Sequence, residues 1–305
     1  MDMFRRLITS QNGNVVIISA IIFTVLLGFV ALAVDGGILY LEHTRLVRGA
    51  DAAALAGAQE LPDTVKATAR VSEYLQKNSI DITDPDDLVI TFSSGNKEIT
   101  VNVQKPVQLH FAKLLGLDTA NVDGTATAKI SPVSKIYGLI PLGLDENLLP
   151  LAHGHQYIIK VGNPSVGWTG IIAYPGQAGK DDYRESAQYG YDGPVTIGDI
   201  EGKAPGNATG PTIDGIQARI DQAAETWDNF SPDSPRIVLV PIYRNLGILP
   251  TDGLEVVGFA SVFLEKVVGA GLENEVYVRY VNYTVSGETD DSLTGTYLSS
   301  VKLIK

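Results

Sequence analysis

The chain has 305 residues, no cysteine, and 23 basic against 35 acidic side chains, for a net charge of −12. Without thiols there are no disulfides, thiolate nucleophiles or thiolate metal sites. The acidic surplus reaches −13 beyond residue 34, where 21 basic residues meet 34 acidic ones, and it argues against a phosphate-condensing face and so against nucleic acid as a partner.

Val15 to Val34 (VVIISAIIFTVLLGFVALAV) carries no charge, and Arg5 and Arg6 precede it. About twenty residues at ~1.5 Å rise cross the roughly 30 Å hydrocarbon layer. The run is longer than a secretory h-region and lacks an Ala-x-Ala-like exit, so the sequence predicts one membrane helix kept in the mature protein, with the lipid bilayer as its first partner. The paired arginines put its N-terminus in the cytoplasm, which makes the chain a single-pass protein of the cell membrane with everything from Asp35 onward outside. Asp35-Gly36-Gly37 reads as a soft joint at the outer surface. Helical spacing resumes beyond it, since Leu39, Leu46, Ala50, Ala53, Gly57 and Leu61 recur at intervals of seven, four, three, four and four, a stripe of mostly small side chains that admits another backbone closely. Two readings stay open for this helix-packing stripe: it covers the protein's own sheet, or it joins copies in self-assembly. Pro62 ends the helix near Leu61.

A second helix is predicted from Val65 to Asn78, with Val65, Ala69, Val71 or Ser72 and Leu75 buried. Strands follow at Leu88–Phe92 and at Glu98–Val103, joined by a turn at Ser94-Gly95-Asn96. Next come a short helix from Leu109 to Leu117 and a strand from Ala120 to Ile130. Ser131-Pro132-Val133-Ser134 reads as a hinge, after which glycine, proline and tyrosine become frequent. Strand candidates beyond it are Gln156–Val161, Gly170–Tyr174, Arg236–Tyr243, Leu254–Leu264 and Glu275–Val285. One helix interrupts them, opening near Pro211 with Ile213, Ile216, Ile220, Ala223 and Trp227 on its stripe and Trp227 in the core. The expected fold class is α+β in three parts: 1–61, leader, membrane helix and its continuation; 62–134, a small α+β domain; 135–305, a larger β-rich domain with one covering helix.

The Arg5-Arg6 leader, Asn12-Gly13-Asn14 at the membrane border, the span ending Leu32-Ala33-Val34-Asp35-Gly36-Gly37, and the run Arg48 to Ala58 with Asp51-Ala52-Ala53-Ala54-Leu55 resemble the N-terminal module of TadE/TadG-like proteins of the Tad (tight-adherence, Flp) pilus machinery. Val107 to Leu117, Val122 and Ala126-Thr127-Ala128 resemble the stretch that TadG-like proteins place after their helix, and the glycine-rich segments between Gly190 and Thr212 resemble a long C-terminal extension of some TadG-related proteins. The small domain is then pilin-like, and the partners implied are other pilus-assembly proteins or pilins. Gly13 and Asn14 mark a candidate processing site. Type IV pilin-like proteins resemble one another in a Glu at the fifth position after such a cleaved Gly, and here that position is Ile18, which puts cleavage and filament insertion in doubt.

Catalytic patterns are few. His153-Gly154-His155 can offer two imidazoles to a metal from an extended segment, but turn histidines are the simpler reading. Asp181, Asp182, Glu185, Asp192 and Asp199 do not follow EF-hand spacing. No Gly-x-Ser-x-Gly elbow or phosphate loop occurs. The sequence therefore predicts no enzyme, no cofactor and no metal, and a membrane-anchored pilus-system component, either minor pilin-like subunit or anchor. The alternative is a surface module for adhesion, in which Tyr174, Tyr183, Tyr189 and Tyr191 within Gly162–Thr212 stack on a glycan or engage an envelope protein.

Overall fold

Helix α1 (Gln11–Ala58) runs unbroken for 48 residues in the computed structural model, which describes residues 11–93, 95–161, 170–247, 249, 251–270, 273–293 and 297–304. The expectations at Arg5, Arg6, Ser94 and residues 162–169 lie outside these. Asp35-Gly36-Gly37 does not interrupt the helix. Glycine inside a helix costs roughly 1 kcal/mol relative to alanine, and the hydrogen bonds that Asp35 accepts, described below, offset that cost. The helix closes in a turn, with the Glu60 and Leu61 N–H groups donating to Gly57 O and Ala58 O.

The chain divides into two units at Lys129, with the residues from Leu303 rejoining the first. In the first unit, α2 (Thr64–Lys77) starts where the Asp63 carboxylate accepts from the Val65 and Lys66 N–H groups. Its buried residues are Ala67, Val71 and Leu75; Val65 and Ala69, expected inside, are exposed. The true stripe is set by the approach of α1, where Gly57 lies against Val71 and the Ala67 carbonyl and so admits only a small neighbour. Strands β1 (Leu88–Phe92) and β2 (Glu98–Gln108) pair antiparallel with Leu88 opposite Val103, and β3 (Thr119–Ile136) pairs with β2 with Ile99 opposite Ala128. One face of this sheet buries Ile99, Val101 and Val103 from β2 beside Val122, Ala126 and Ala128 from β3. Alternation along each strand puts these residues on one side. The short helix expected at Leu109–Leu117 is a single 3-10 turn, Ala112–Leu115, because β2 runs on to Gln108.

In the second unit, Ser131–Ser134 is strand rather than hinge. Pro132 has no N–H to give, yet its carbonyl accepts from Asp290 and the next N–H, at Val133, donates to Leu298 O. The elements that follow are β4 (Leu144–Asp145), β5 (Gln156–Val161), β6 (Ile172–Ala173), α3 (Lys180–Tyr189), β7 (Val195–Thr196), β8 (Ile200–Lys203), α4 (Thr209–Asp221), β9 (Ile237–Asn245), β10 (Leu254–Ala270), β11 (Glu273–Val281), β12 (Glu288–Thr289) and β13 (Ser299–Leu303). The main sheet has the order β4-β9-β10-β11-β5, with β8 also on β10 and β6 on β8, and among the described strands only β4 runs parallel to its neighbour. β10 is buried on both faces: Ala260, Val262 and Leu264 enter one core cluster with Ile216 of α4, and Leu254, Val256 and Phe259 enter another with Tyr174 and Leu298. Burial on both sides explains its near-continuous apolar sequence. α3 and α4 pack so closely that a Cβ at Gly215 would lie 2.5 Å from the Arg184 carbonyl oxygen.

The molecule is α+β with a β-rich C-terminal region, as expected, but two helices rather than one accompany that sheet among the described residues. α4 ends at Asp221, so Trp227 is not on it. The half-buried indole instead lies 5.4 Å from the Phe230 ring and 5.5 Å from His153, with the Arg279 guanidinium 5.6 Å from its centroid.

Candidate functional site

The apolar half of α1 has no protein around it. The helix is long and apolar enough to cross a membrane, and none of its most hydrophobic window is buried. The span carries hydroxyls at Ser19 and Thr24, and that of Thr24 is satisfied internally, Oγ1 donating to Ala20 O at 2.9 Å, as hydrocarbon favours for a polar group. Gly13 and Asn14, the candidate processing site, lie in the helical backbone near the start of α1.

One residue past Val34 the surroundings change. The Asp35 carboxylate is buried and accepts backbone N–H groups from a segment more than seventy residues away: His110 N at 2.9 Å and Phe111 N at 3.3 Å on Oδ1, Phe111 N at 3.0 Å and Ala112 N at 2.7 Å on Oδ2. These donors open the 3-10 turn, so a negative charge meets the positive end of a helical turn. Farther along, His43 Nδ1 donates to Asp123 O at 2.8 Å and Arg45 Nη2 to Ser79 O at 2.6 Å. Sequence reading placed Asp35 in a joint and among the residues of the family resemblance, but not this clamp, because a partner so distant along the chain leaves no local signal.

The stripe beyond it is occupied. Leu46, Ala50, Ala53 and Leu61 are buried within the chain, as is Gly57, while Leu39 is half-buried. A Cβ at Gly124 of β3 would lie 2.5 Å from Leu46 C and 2.6 Å from Val47 N, so the backbone of α1 rests on that glycine. Of the two readings, the structure shows the stripe packed on the protein's own sheet; it does not show self-assembly. Within the run at 51–55, Ala53 and Ala54 are fully buried and Asp51, Ala52 and Leu55 half-buried.

The second unit carries a cleft of about 590 Å³ walled by Tyr137, Gln177, Asp182, Glu185, Tyr189 and Tyr191 among others. Tyr191 stacks on Tyr174 with centroids 4.7 Å apart and donates its hydroxyl to Pro175 O. Tyr174 and Tyr183 are buried, and Tyr174 donates to Ile140 O at 2.9 Å; burial raises its phenol well above the ordinary value. Neither is free to stack on a ligand, which leaves Tyr189 and Tyr191 from the sequence reading and adds Tyr137. Asp182 accepts from the Ala178 and Gly179 N–H groups at 2.8 Å each, and these bonds hold its carboxyl below the usual carboxylate range. It braces the first turn of α3 rather than waiting for a cation. Asp199 likewise accepts Thr196 N at 2.7 Å. The histidines go separate ways: His153 Nδ1 accepts Asn282 N at 3.1 Å, and His155 sets its ring edge-on to Tyr157. Among the described residues, no three His, Asp or Glu side chains gather as a metal site.

Residues 13–60, almost the whole of α1 and its closing turn, match the family Tad, described as "Putative Flp pilus-assembly TadE/G-like". This N-terminal segment is similar to TadE/G-like proteins. The TadE/G-like match takes in the apolar span, Asp35 and the buried stripe, and stops before α2. No curated protein and no solved structure matches the chain. The TadE/G-like helix thus supports membrane anchoring and a place among pilus-assembly components, and the second unit is characterised by its own geometry.

Proposed function

We propose that the protein is a non-enzymatic, membrane-anchored component of a Tad/Flp-type pilus assembly system, acting as a stationary anchor rather than a filament subunit, with both units outside the cell. The observation that carries this reading is α1 itself, a bare apolar span continued without a break into a helix locked in a folded unit. Two features support an anchor over a subunit. Ile18 stands where pilin-like sequences bear Glu, and the small-residue stripe that would pack helix on helix is already covered by the chain's own sheet. Gly13→Leu in the native host tests the role: unchanged size relative to wild type and absence of both proteins from sheared filaments support the anchor, whereas a processed wild type recovered in filaments overturns it.

A second reading rests on the cleft. Tyr137 and Tyr189 are exposed beside Asp192 and Glu185, an arrangement of aromatic faces and carboxylates that suits a sugar. Glycan arrays probed with the detergent-solubilised chain, with and without chelator, test it; no binding in either condition removes it.

A further inference from the structure

The segment clamped by Asp35 has an unusual surface. Between β2 and β3 the chain makes a short closed loop: Leu109 N donates to Asp118 O at 2.9 Å across its base, Leu117 N to Ala112 O at 3.2 Å, and Gly116 ends the 3-10 turn at φ 85°. A loop so bonded has a definite tip, and that tip is apolar. Leu114 is 83% exposed, Leu117 59% and Phe111 40%. Three large apolar side chains on nine residues of one loop are not the scattered exposure of an ordinary soluble surface.

Position tells what covers them. Val34, the last residue of the apolar span, is bonded to Asp35, and Asp35 holds the N–H groups of His110, Phe111 and Ala112. The loop therefore begins one hydrogen bond away from the level at which α1 leaves the hydrocarbon. The polar layer above that level is roughly 5–7 Å thick. On α1 itself, Tyr40 and Leu41 are exposed five and six residues beyond Asp35, about 8 Å along the axis, where an aromatic residue suits the head-group zone. Lys113, exposed and 3.7 Å from Asp118, can keep its ammonium in water while its stem lies among lipid.

We infer that the Leu109–Leu117 loop is a second membrane contact, seating Phe111, Leu114 and Leu117 in the head-group layer of the leaflet from which α1 emerges. The loop fixes the first unit against the lipid surface at two places instead of one. This rests on α1 crossing the bilayer.

Because the chain has no cysteine, single reporters need no background removal. Leu114→Cys and Leu117→Cys, labelled with an environment-sensitive fluorophore in the full chain in phosphatidylcholine nanodiscs, are compared with Val65→Cys, an exposed site on α2, and with Leu26→Cys inside the span. Quenching by lipids bearing a nitroxide near the head group is expected to be several-fold stronger at 114 and 117 than at 65, with quenching by aqueous iodide correspondingly weaker. Asp35→Asn should reduce the lipid quenching at 114 and leave that at 26 unchanged. If 26 is quenched by deep nitroxides while 114 and 117 stay as open to iodide as 65, the loop contact is wrong and the membrane anchor stands. If 26 is not quenched, the anchor reading fails and takes the loop contact with it.

Discussion

Asp35→Ala removes the acceptor of three N–H groups at once. Hydrogen bonds to a charged acceptor contribute ~1.5–3 kcal/mol each. The 110–112 backbone has water nearby to take over in part, so the low end of each applies, and the local opening of the loop is expected to become easier by ~3–5 kcal/mol. At roughly 1.4 kcal/mol per tenfold, amide exchange at His110, Phe111 and Ala112 should accelerate by about a hundredfold or more. Asp35→Asn is gentler: its oxygen still serves two donors, but its amide group faces the Ala112 N–H, which sits 2.7 Å from Oδ2 in the wild type, and an intermediate acceleration follows. Hydrogen-exchange mass spectrometry on the full chain in nanodiscs, read on a peptide covering 109–117, measures both. The β2–β3 pairing at 98–103 serves as the internal reference and should stay protected. If the 109–117 peptide exchanges in Asp35→Ala as slowly as in wild type, the carboxylate is not what holds the loop, and the account of the unbroken α1 loses its offsetting interaction.

Gly124→Val forces a side chain into the backbone of α1 at Leu46 and Val47, where no rotamer relieves the clash; a stability loss of about 3 kcal/mol or more is expected from urea unfolding of the solubilised chain, while Gly28→Ala, with open space around it, should change stability by less than ~0.5 kcal/mol. Equal effects from the two would refute the close helix–sheet contact. Glu201 is buried, and burial first, then Asp199, pushes its carboxyl up to about 7. A carboxyl raised above its unfolded value keeps a proton that the unfolded chain has released, so stability falls as pH climbs from the ordinary carboxylate value to about 7 and levels off above, by on the order of 3 kcal/mol in all. Thermal midpoints of wild type and Glu201→Gln should diverge across that window, the variant lacking the decline; parallel curves would refute it. Tyr189→Ala should leave stability within ~0.5 kcal/mol while abolishing any glycan signal the wild type gives on the array; retained binding would remove the cleft from that reading.

Local pattern made some of this legible and long-range pairing hid the rest. A charge-free run of membrane length, the strands at 88–92 and 98–103 and the β-branched strands of the second unit each announce themselves by composition or alternation within a few residues. The stripe at 39–61 was equally plain as a pattern, yet its partner was not, since a run of small side chains fits a sheet of the same chain as well as another helix. α3 went unread because Lys-Asp-Asp-Tyr-Arg-Glu-Ser-Ala-Gln-Tyr buries only Tyr183, Ser186 and Ala187, too little apolar area to mark a face. Asp182, taken among loop carboxylates, lies in the first turn of that helix and accepts the N–H of Gly179, the residue that caps it. Ser131-Pro132 resembled a hinge because proline weakens a ladder, but its carbonyl and its neighbours' N–H groups find partners that local sequence does not reveal.

The continuity of α1 has a mechanical meaning. Between the apolar span and the first folded unit the covalent link is an unbroken helix, its ladder of hydrogen bonds stiffened at the base by Asp35. A pull on that unit is therefore delivered along the helix to its apolar span at once, with no slack tether to take up extension first.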